Sequence, residues 1–162
     1  MKHLVTLMAA AIPLLAFAAS GSPDEAFFQK ATEAGLAEVA AGKLAQTKGS
    51  RESVRQFGAM MVKDHGAAND KLKSIARSKG ITLPEDPDLK HIAQTELFEQ
   101  QVGPDFDRAY IDAQIKDHKE AEALLQTEIA LGKDADAKAF AQEVLPKVQA
   151  HLKAIETIKT GT

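Results

Sequence analysis

The sequence contains no cysteine, no tryptophan and only one tyrosine. Without cysteine, no disulfide can crosslink the fold and no thiolate can bind a metal ion. A basic excess is also missing, because 20 Lys and Arg residues face 23 Asp and Glu residues, giving a net charge of −3 at pH 7. With no basic stripe and few aromatic rings for stacking, nucleic acid is not expected as a partner.

Motifs of common enzyme classes are missing as well. The sequence has no serine nucleophile motif, no zinc-protease motif and no redox cysteine pair. The stretch GLAEVAAGK at 35–43 resembles a phosphate loop, but its glycines are too far apart and Leu44 stands where Ser or Thr is required. An ordinary hydrolase is therefore disfavoured. A metal-dependent oxidase stays open only if further carboxylates such as Glu143 approach a site.

A long apolar run occurs at the start of the chain. Lys2 precedes a hydrophobic segment from Leu4 to Phe17, with small residues at Ala16 and Ala18. The segment is too short to span a bilayer comfortably and has the three zones of an export signal. We expect residues 1–18 to be a cleaved signal peptide, with no membrane anchor afterwards. The expected compartment is the periplasm, with secretion as the alternative.

The remaining chain has helix boundaries rather than strand patterns. Sustained period-two alternation is missing, and Ala, Leu, Glu, Lys and Gln dominate over β-branched residues. Long helices are predicted over about 23–48, 51–79, 104–131 and 135–159, with a shorter one from Pro87 to about Val102. The expected N-caps are Ser22, Ser50, Asp86 and Asp134, and the expected helix stops are Gly49 in a left-handed conformation, Gly80 and Gly132.

This pattern predicts an all-α fold. Two long αα-hairpins joined by a long crossover with a short helix form a ferritin-like four-helix bundle over residues 22–160.

Each long helix carries one polar residue on its apolar face. In the second helix, His65 lies at helical spacing among Phe57, Met61 and Leu72. The corresponding residues of the other three helices are Glu38, His118 and His151. His91 in the crossover is expected to be exposed, because its apolar neighbours lie on a different face.

Three imidazoles and one carboxylate would suit one ion of Zn, Cu, Ni or Fe. Within each hairpin the two groups are offset by about one helical turn, and the sequence leaves open whether the hairpins bring them to one level. Two functions follow. Either the protein binds a metal for sequestration, transfer or protection, or it is a metal-free structural or interaction protein of the cell envelope whose buried polar cluster fixes helix register.

Four further residues are candidate orienting groups for this site. Asp64 and Asp117 each precede a histidine and project about 100° away from it, which favours an orienting or solvated role over direct coordination. Asp107 and Tyr110 lie on the predicted helix that carries His118.

The segments MVKDHGAANDKL, FDRAYIDAQIKDH and LPKVQAHL, behind an export signal, resemble domain-of-unknown-function family 4142. The resemblance implies an exported bacterial protein with a ferritin-like four-helix fold and no assigned activity. The matching positions are Glu38, Asp64, His65, Asp107, Tyr110, His118, Pro146 and His151. The chain departs from the Glu-x-x-His pattern of di-iron proteins, since Val62, Ile115 and Val148 stand three residues before the histidines.

Overall fold

The structure is a computed structural model that describes residues 23–161. Within this range the chain forms five α-helices and no strand. They are α1 (Pro23–Lys48), α2 (Glu52–Lys79), α3 (Leu89–Glu99), α4 (Gly103–Leu131) and α5 (Ala135–Thr160). The predicted export signal at 1–18 and the predicted cap Ser22 lie outside the described residues.

The four long helices agree with the predicted ones to within a residue or two. Gly80 ends α2 in the left-handed conformation, with a φ of 69°. The side chain of Asp134 caps α5 by accepting hydrogen bonds from the backbone N–H groups of Asp136 and Ala137, both at 3.0 Å. These caps satisfy backbone groups that a helix end leaves without partners.

The turn between α1 and α2 differs from the prediction. Gly49 is not left-handed, since Gly80 and Gly103 are the described glycines with positive φ. Gly49 instead pairs with Gly103 in an isolated parallel bridge. Ser50 does not cap α2, because its hydroxyl donates to Asp107 Oδ2 at 2.6 Å and Arg51 occupies the cap position. A tertiary contact thus replaces the predicted local caps.

The short crossover helix also starts later than predicted. Asp88, and not Asp86, is the N-cap of α3, and its side chain accepts from the backbone N–H of His91 at 2.9 Å. The helix ends at Glu99.

The helices assemble as two hairpins, α1 with α2 and α4 with α5, that pack against each other. The crossover helix α3 packs against α1 and α4. This arrangement confirms the predicted all-α bundle of two αα-hairpins with a helical crossover. No helix of residues 23–161 combines the length and the apolar character needed to cross a membrane.

The polar residues of the four apolar faces lie between two hydrophobic clusters. One cluster is built around Phe57, Met61, Phe98, Phe106, Tyr110, Ile111 and Ile155. The other is built around Phe27, Phe28, Leu72, Leu125, Phe140 and Val148. On each long helix, the chain passes Glu38, His65, His118 or His151 on its way from one cluster to the other. The bundle therefore contains a polar layer at an intermediate level.

His91 is buried, with only 9% of its surface exposed, so its predicted exposure is wrong. Its Nδ1 lies 2.8 Å from Asp88 Oδ1, and its Nε2 lies 3.9 Å from Asp117 Oδ1. The outward face of α3 instead carries Leu89, which is 84% exposed. The prediction assumed that apolar residues of α3 face inward. The carboxylates available to His91 explain why this imidazole can occupy the inner face.

Helices α1 and α2 approach closely where two glycines face each other. A Cβ built on Gly58 would lie 2.7 Å from both Gly42 O and Ala45 Cβ. We expect Gly58→Ala to lower the free energy of unfolding by about 1 to 3 kcal/mol through overpacking, despite the better helix propensity of alanine.

Urea unfolding followed by circular dichroism measures this change. Gly66→Ala is the matched control on the same helix, because a Cβ there meets nothing within 4 Å. The control is expected to gain up to about 1 kcal/mol. If Gly58→Ala and Gly66→Ala change the free energy of unfolding equally, α1 and α2 do not approach closely at Gly58.

Two carboxyl groups meet at the end of the bundle where α1 begins. Asp24 Oδ1 accepts from the backbone N–H groups of Lys133 at 2.6 Å and Asp134 at 2.9 Å, and these bonds lower the pKa of Asp24. Burial, together with the hydrogen bond to Asp24, raises the pKa of Glu128 to about 7. Glu128 is therefore protonated in the folded protein at mildly acidic pH.

This raised pKa predicts a pH-dependent stability. Between the ordinary value of 4.5 and about 7, the folded state holds one proton more than the unfolded state, so the free energy of unfolding falls as pH rises. Glu128→Gln keeps a hydrogen-bond donor and removes the titration. We expect it to stabilise the protein by roughly 1 to 3 kcal/mol at pH 8 and little at pH 4.5. Urea unfolding at several pH values measures both proteins. If their free energies of unfolding differ by the same amount at pH 4.5 and pH 8, the assignment is wrong.

Candidate metal centre

His65, His118 and His151 converge in the polar layer. One ring nitrogen from each lies within 4.8 Å of one from each of the others. The ring centroids are 5.6 Å apart for His65 and His118, and 5.5 Å apart for both pairs that include His151. The rings form a nearly equilateral triangle. The two hairpins thus bring their histidines to one level, the point that the sequence left open.

Two of the three rings have their outward nitrogen occupied. His118 Nδ1 lies 2.9 Å from the backbone oxygen of Gln114, and His151 Nε2 lies 3.0 Å from Asp64 Oδ2. A carbonyl oxygen and a carboxylate oxygen only accept hydrogen bonds, so both of these nitrogens carry a hydrogen and donate it. In a neutral imidazole the opposite nitrogen then holds a lone pair. These lone pairs belong to His118 Nε2 and His151 Nδ1.

The remaining nitrogens are buried without a partner. His65 Nε2, His118 Nε2 and His151 Nδ1 make no hydrogen bond within the described chain. Leaving a buried polar atom unsatisfied costs about 1 to 3 kcal/mol. A cation between the three nitrogens would satisfy all of them together.

The three imidazoles are neutral at pH 7. Burial, together with the neighbouring His118 and His151, lowers the pKa of His65 to about 3. Burial also lowers the pKa of His118 and of His151, although the Asp64 carboxylate acts in the opposite direction on His151. His65 is partly exposed as a whole residue, but its Nε2 is buried. Neutral imidazole is the form that coordinates a metal ion.

Glu38, the predicted fourth ligand, lies beside this group and not within it. Its Oε1 is 3.7 Å from His118 Nδ1, the nitrogen on the far side of the ring from the unpartnered Nε2. Its Oε2 accepts from Gln114 Nε2 at 2.7 Å. Burial raises the pKa of Glu38 to about 8. The carboxyl group is therefore mostly protonated at neutral pH, which makes it a poor metal ligand in this position.

The predicted orienting residues have different positions. Asp64 orients an imidazole, but that of His151 on α5 and not that of its neighbour His65. Asp117 accepts from Gln94 Nε2 at 2.7 Å and thereby holds α3 against α4. Neither contact could be found from spacing along one helix, because both cross between helices.

Asp107 and Tyr110 lie closer to one end of the bundle. Asp107 accepts from the backbone N–H groups of Ser50 at 2.9 Å and Arg51 at 3.0 Å, so it holds the turn between α1 and α2. It stands 11 residues before His118, or roughly 16 Å along the helix axis. Tyr110 is fully buried, and its ring contacts Phe57, which lies between it and the histidines.

Two residues of the site were missing from the sequence prediction. Gln114 supplies the carbonyl oxygen for His118 and an amide donor for Glu38. The ring of Phe57 lies 6.1 Å from that of His118 and 6.4 Å from that of His151, so it covers the triangle on one side. Helical spacing placed Phe57 on the inward face with His65, but no pattern gave either residue a role at the site.

A cleft connects the site with the surface between α1, α3 and α4. It has a volume of about 400 Å³, and its lining includes Glu38, His65, Lys90, Asp117, His118 and Glu120. His151 does not contribute to this lining. The triangle is thus approached from the side of His65 and His118.

The fold and the side chains together define a helical bundle with three histidines clustered in its core. The profile of the family described as "Domain of unknown function (DUF4142)" matches residues 12–158. The chain therefore belongs to the DUF4142 family, as the sequence motifs indicated.

Similarity to a solved structure independently confirms the fold. The chain is similar to a structure titled "Crystal structure of DUF305 fragment from Deinococcus radiodurans", with a TM-score of 0.78 and 10% sequence identity. The similarity covers 88% of this chain and 98% of that one. At this identity the likeness concerns the fold alone. Comparison with curated proteins gives no match.

Proposed function

We propose that this protein binds a single transition metal ion through His65 Nε2, His118 Nε2 and His151 Nδ1. One observation carries the proposal: these three nitrogens are buried without hydrogen-bond partners, on three imidazoles that offer ring nitrogens within 4.8 Å of one another. Two of them are fixed as lone-pair acceptors by the outward bonds to Gln114 and Asp64. Such outer hydrogen bonds are the usual means by which proteins orient metal-binding imidazoles.

The dimensions of the triangle suit an ion after a small adjustment. Metal–nitrogen bonds of about 2.0 to 2.1 Å in tetrahedral geometry place the ligand nitrogens roughly 3.3 Å apart. The three imidazoles offer ring nitrogens within 4.8 Å of one another, and a pair at that distance needs to close by only about 1.5 Å. Rotation of His65, whose Nε2 is not held by a hydrogen bond, supplies such a movement. Imidazole ligands suit Zn, Cu, Ni and Fe.

The proposed role is metal sequestration, transfer or protection in the periplasm, after export through the N-terminal segment. An oxidase would need further carboxylates at the site. Glu143, the candidate for this, forms an ion pair with Lys71 and is half exposed. A site of three imidazoles without a nearby carboxylate ligand therefore favours metal binding over an oxidase reaction.

A second candidate is a metal-free structural or interaction protein of the cell envelope. The hydrogen bond from Gln114 Nε2 to Glu38 Oε2 favours it, since this buried contact joins α4 to α1 and can fix the register of the two hairpins. In that case the histidines would complete a polar cluster, and the functional surface would lie elsewhere.

Metal analysis of the protein purified from its native compartment separates the two candidates. Stoichiometric metal in the unsubstituted protein, lost in both His65→Ala and His151→Ala, supports the metal-binding function. His91→Gln is the matched control, because it removes a buried histidine outside the triangle and should keep the metal. If the purified protein contains no metal and does not bind added Zn²⁺, Cu²⁺, Ni²⁺ or Fe²⁺ in vitro, the structural candidate is favoured.

A further inference from the structure

We propose that the metal cation enters and leaves through the cleft between α1, α3 and α4, and that Asp117 and Glu120 hold it transiently on the way. This inference rests on the proposed metal-binding function and adds a route to it. The cleft is where His65 and His118 line an opening to the surface. His118 is 1% exposed, so the inner end of the cleft is formed by a buried imidazole, one whose Nε2 has no partner.

The charges of the cleft favour a cation. Carboxyl groups outnumber ammonium groups in its lining, which contains Glu33, Asp88, Asp117 and Glu120 against Lys30 and Lys90. A cleft lined by one predominant sign of charge concentrates ions of the opposite sign and speeds their association. An anionic or neutral ligand gains nothing from this lining.

A cationic side chain already occupies the proposed transient site. Lys90 Nζ lies 2.6 Å from Glu120 Oε2 and 3.3 Å from Asp117 Oδ1. The ammonium group therefore takes the position that an arriving metal ion would contest. Lys90 belongs to α3, and its release opens the carboxylates without disturbing the three histidines. The arrangement makes Lys90 a gate whose removal should speed exchange.

The test follows Co²⁺ added alone to the full metal-free protein, using its visible absorption to measure association and a chelator to measure dissociation. Ala121→Leu narrows the cleft, since Ala121 lines it. We expect this variant to slow both association and dissociation by about tenfold, leaving the equilibrium affinity unchanged. Ala123→Leu, at an exposed position of the same helix, is the control and should behave as the unsubstituted protein.

Removal of the gate gives an independent readout. Lys90→Met should raise the association rate by about tenfold at low salt, with a smaller effect at high salt. Lys119→Met is its matched control, because this lysine also pairs with a glutamate, Glu156 at 3.6 Å, but lies outside the cleft.

The outcomes distinguish the route from the site. If Co²⁺ binds stoichiometrically but its rates are the same in Lys90→Met and Ala121→Leu as in the unsubstituted protein, the route is wrong and the site stands. If Ala121→Leu fails to fold, the rates of Lys90→Met against Lys119→Met decide the matter. If the unsubstituted protein binds no metal ion, the proposed function fails and the route fails with it.

Discussion

Replacing His65 with leucine is expected to lower the affinity of the protein for Zn²⁺ by at least about 100-fold. Structural zinc sites have binding free energies of about 10 to 16 kcal/mol over four ligands, or roughly 3 kcal/mol for each ligand. Two histidines would remain, and Glu38 cannot replace the lost nitrogen, because its carboxyl group faces the other side of His118. Competition titration against a chromogenic chelator measures the change.

His65 is the appropriate position for this substitution because its ring makes no hydrogen bond to a neighbouring helix within the described residues. His118 and His151 contact Gln114 and Asp64, so their replacement disturbs further contacts. The control His91→Gln should retain the affinity of the unsubstituted protein to within a few fold. If His91→Gln loses the ion and His65→Leu retains it, the metal site lies in the crossover and not in the triangle.

The same substitution should change stability with opposite sign in the presence and absence of metal. Without metal, His65→Leu removes a buried unpartnered nitrogen, so we expect the free energy of unfolding to rise by about 1 to 2 kcal/mol. With Zn²⁺ at about 100 times its dissociation constant, the unsubstituted protein gains about 2.7 kcal/mol and the variant gains almost none. The order of stability of the two proteins is then reversed.

Urea unfolding of both proteins, with a chelator and with excess Zn²⁺, measures this reversal. A structural polar cluster predicts another result, because His65→Leu would then be destabilising under both conditions and Zn²⁺ would change neither protein. The experiment therefore separates the two candidate functions by sign as well as by magnitude.

Local sequence was sufficient for the helices and for the direction of the histidines. The bounds of α1 and the stops at Gly80 and Gly132 depend on residues within one turn of a helix end, and such effects can be predicted from the sequence alone. His65, His118 and His151 lie on stripes with helical spacing, so their inward direction followed from periodicity.

Contacts between helices could not be predicted in the same way. Asp107 lies on the same helix as His118, which suggested a position near it. Its carboxylate instead accepts hydrogen bonds from the backbone N–H groups of Ser50 and Arg51. Glu38 faces inward as predicted, but it accepts from the amide of Gln114 and lies on the Nδ1 side of His118. His91 is buried through Asp88 and Asp117, although its helix has apolar residues on the opposite face.

The level of the histidines was the quantity that mattered most and that sequence could not give. It depends on how far one hairpin is displaced along the bundle axis relative to the other. A displacement of one helical turn, about 5.4 Å, would separate the rings. The hydrogen bond from His151 to Asp64 between α5 and α2 is one contact that fixes this offset.

The most direct measurement is X-ray absorption spectroscopy of the protein loaded with one equivalent of Zn²⁺. Three imidazole ligands should give a nitrogen shell at about 2.0 to 2.1 Å, with the multiple scattering of three rings, and His65→Leu should reduce that count to two. An oxygen-only shell, or a spectrum with fewer than three imidazoles in the unsubstituted protein, would contradict a metal site formed by the three histidines.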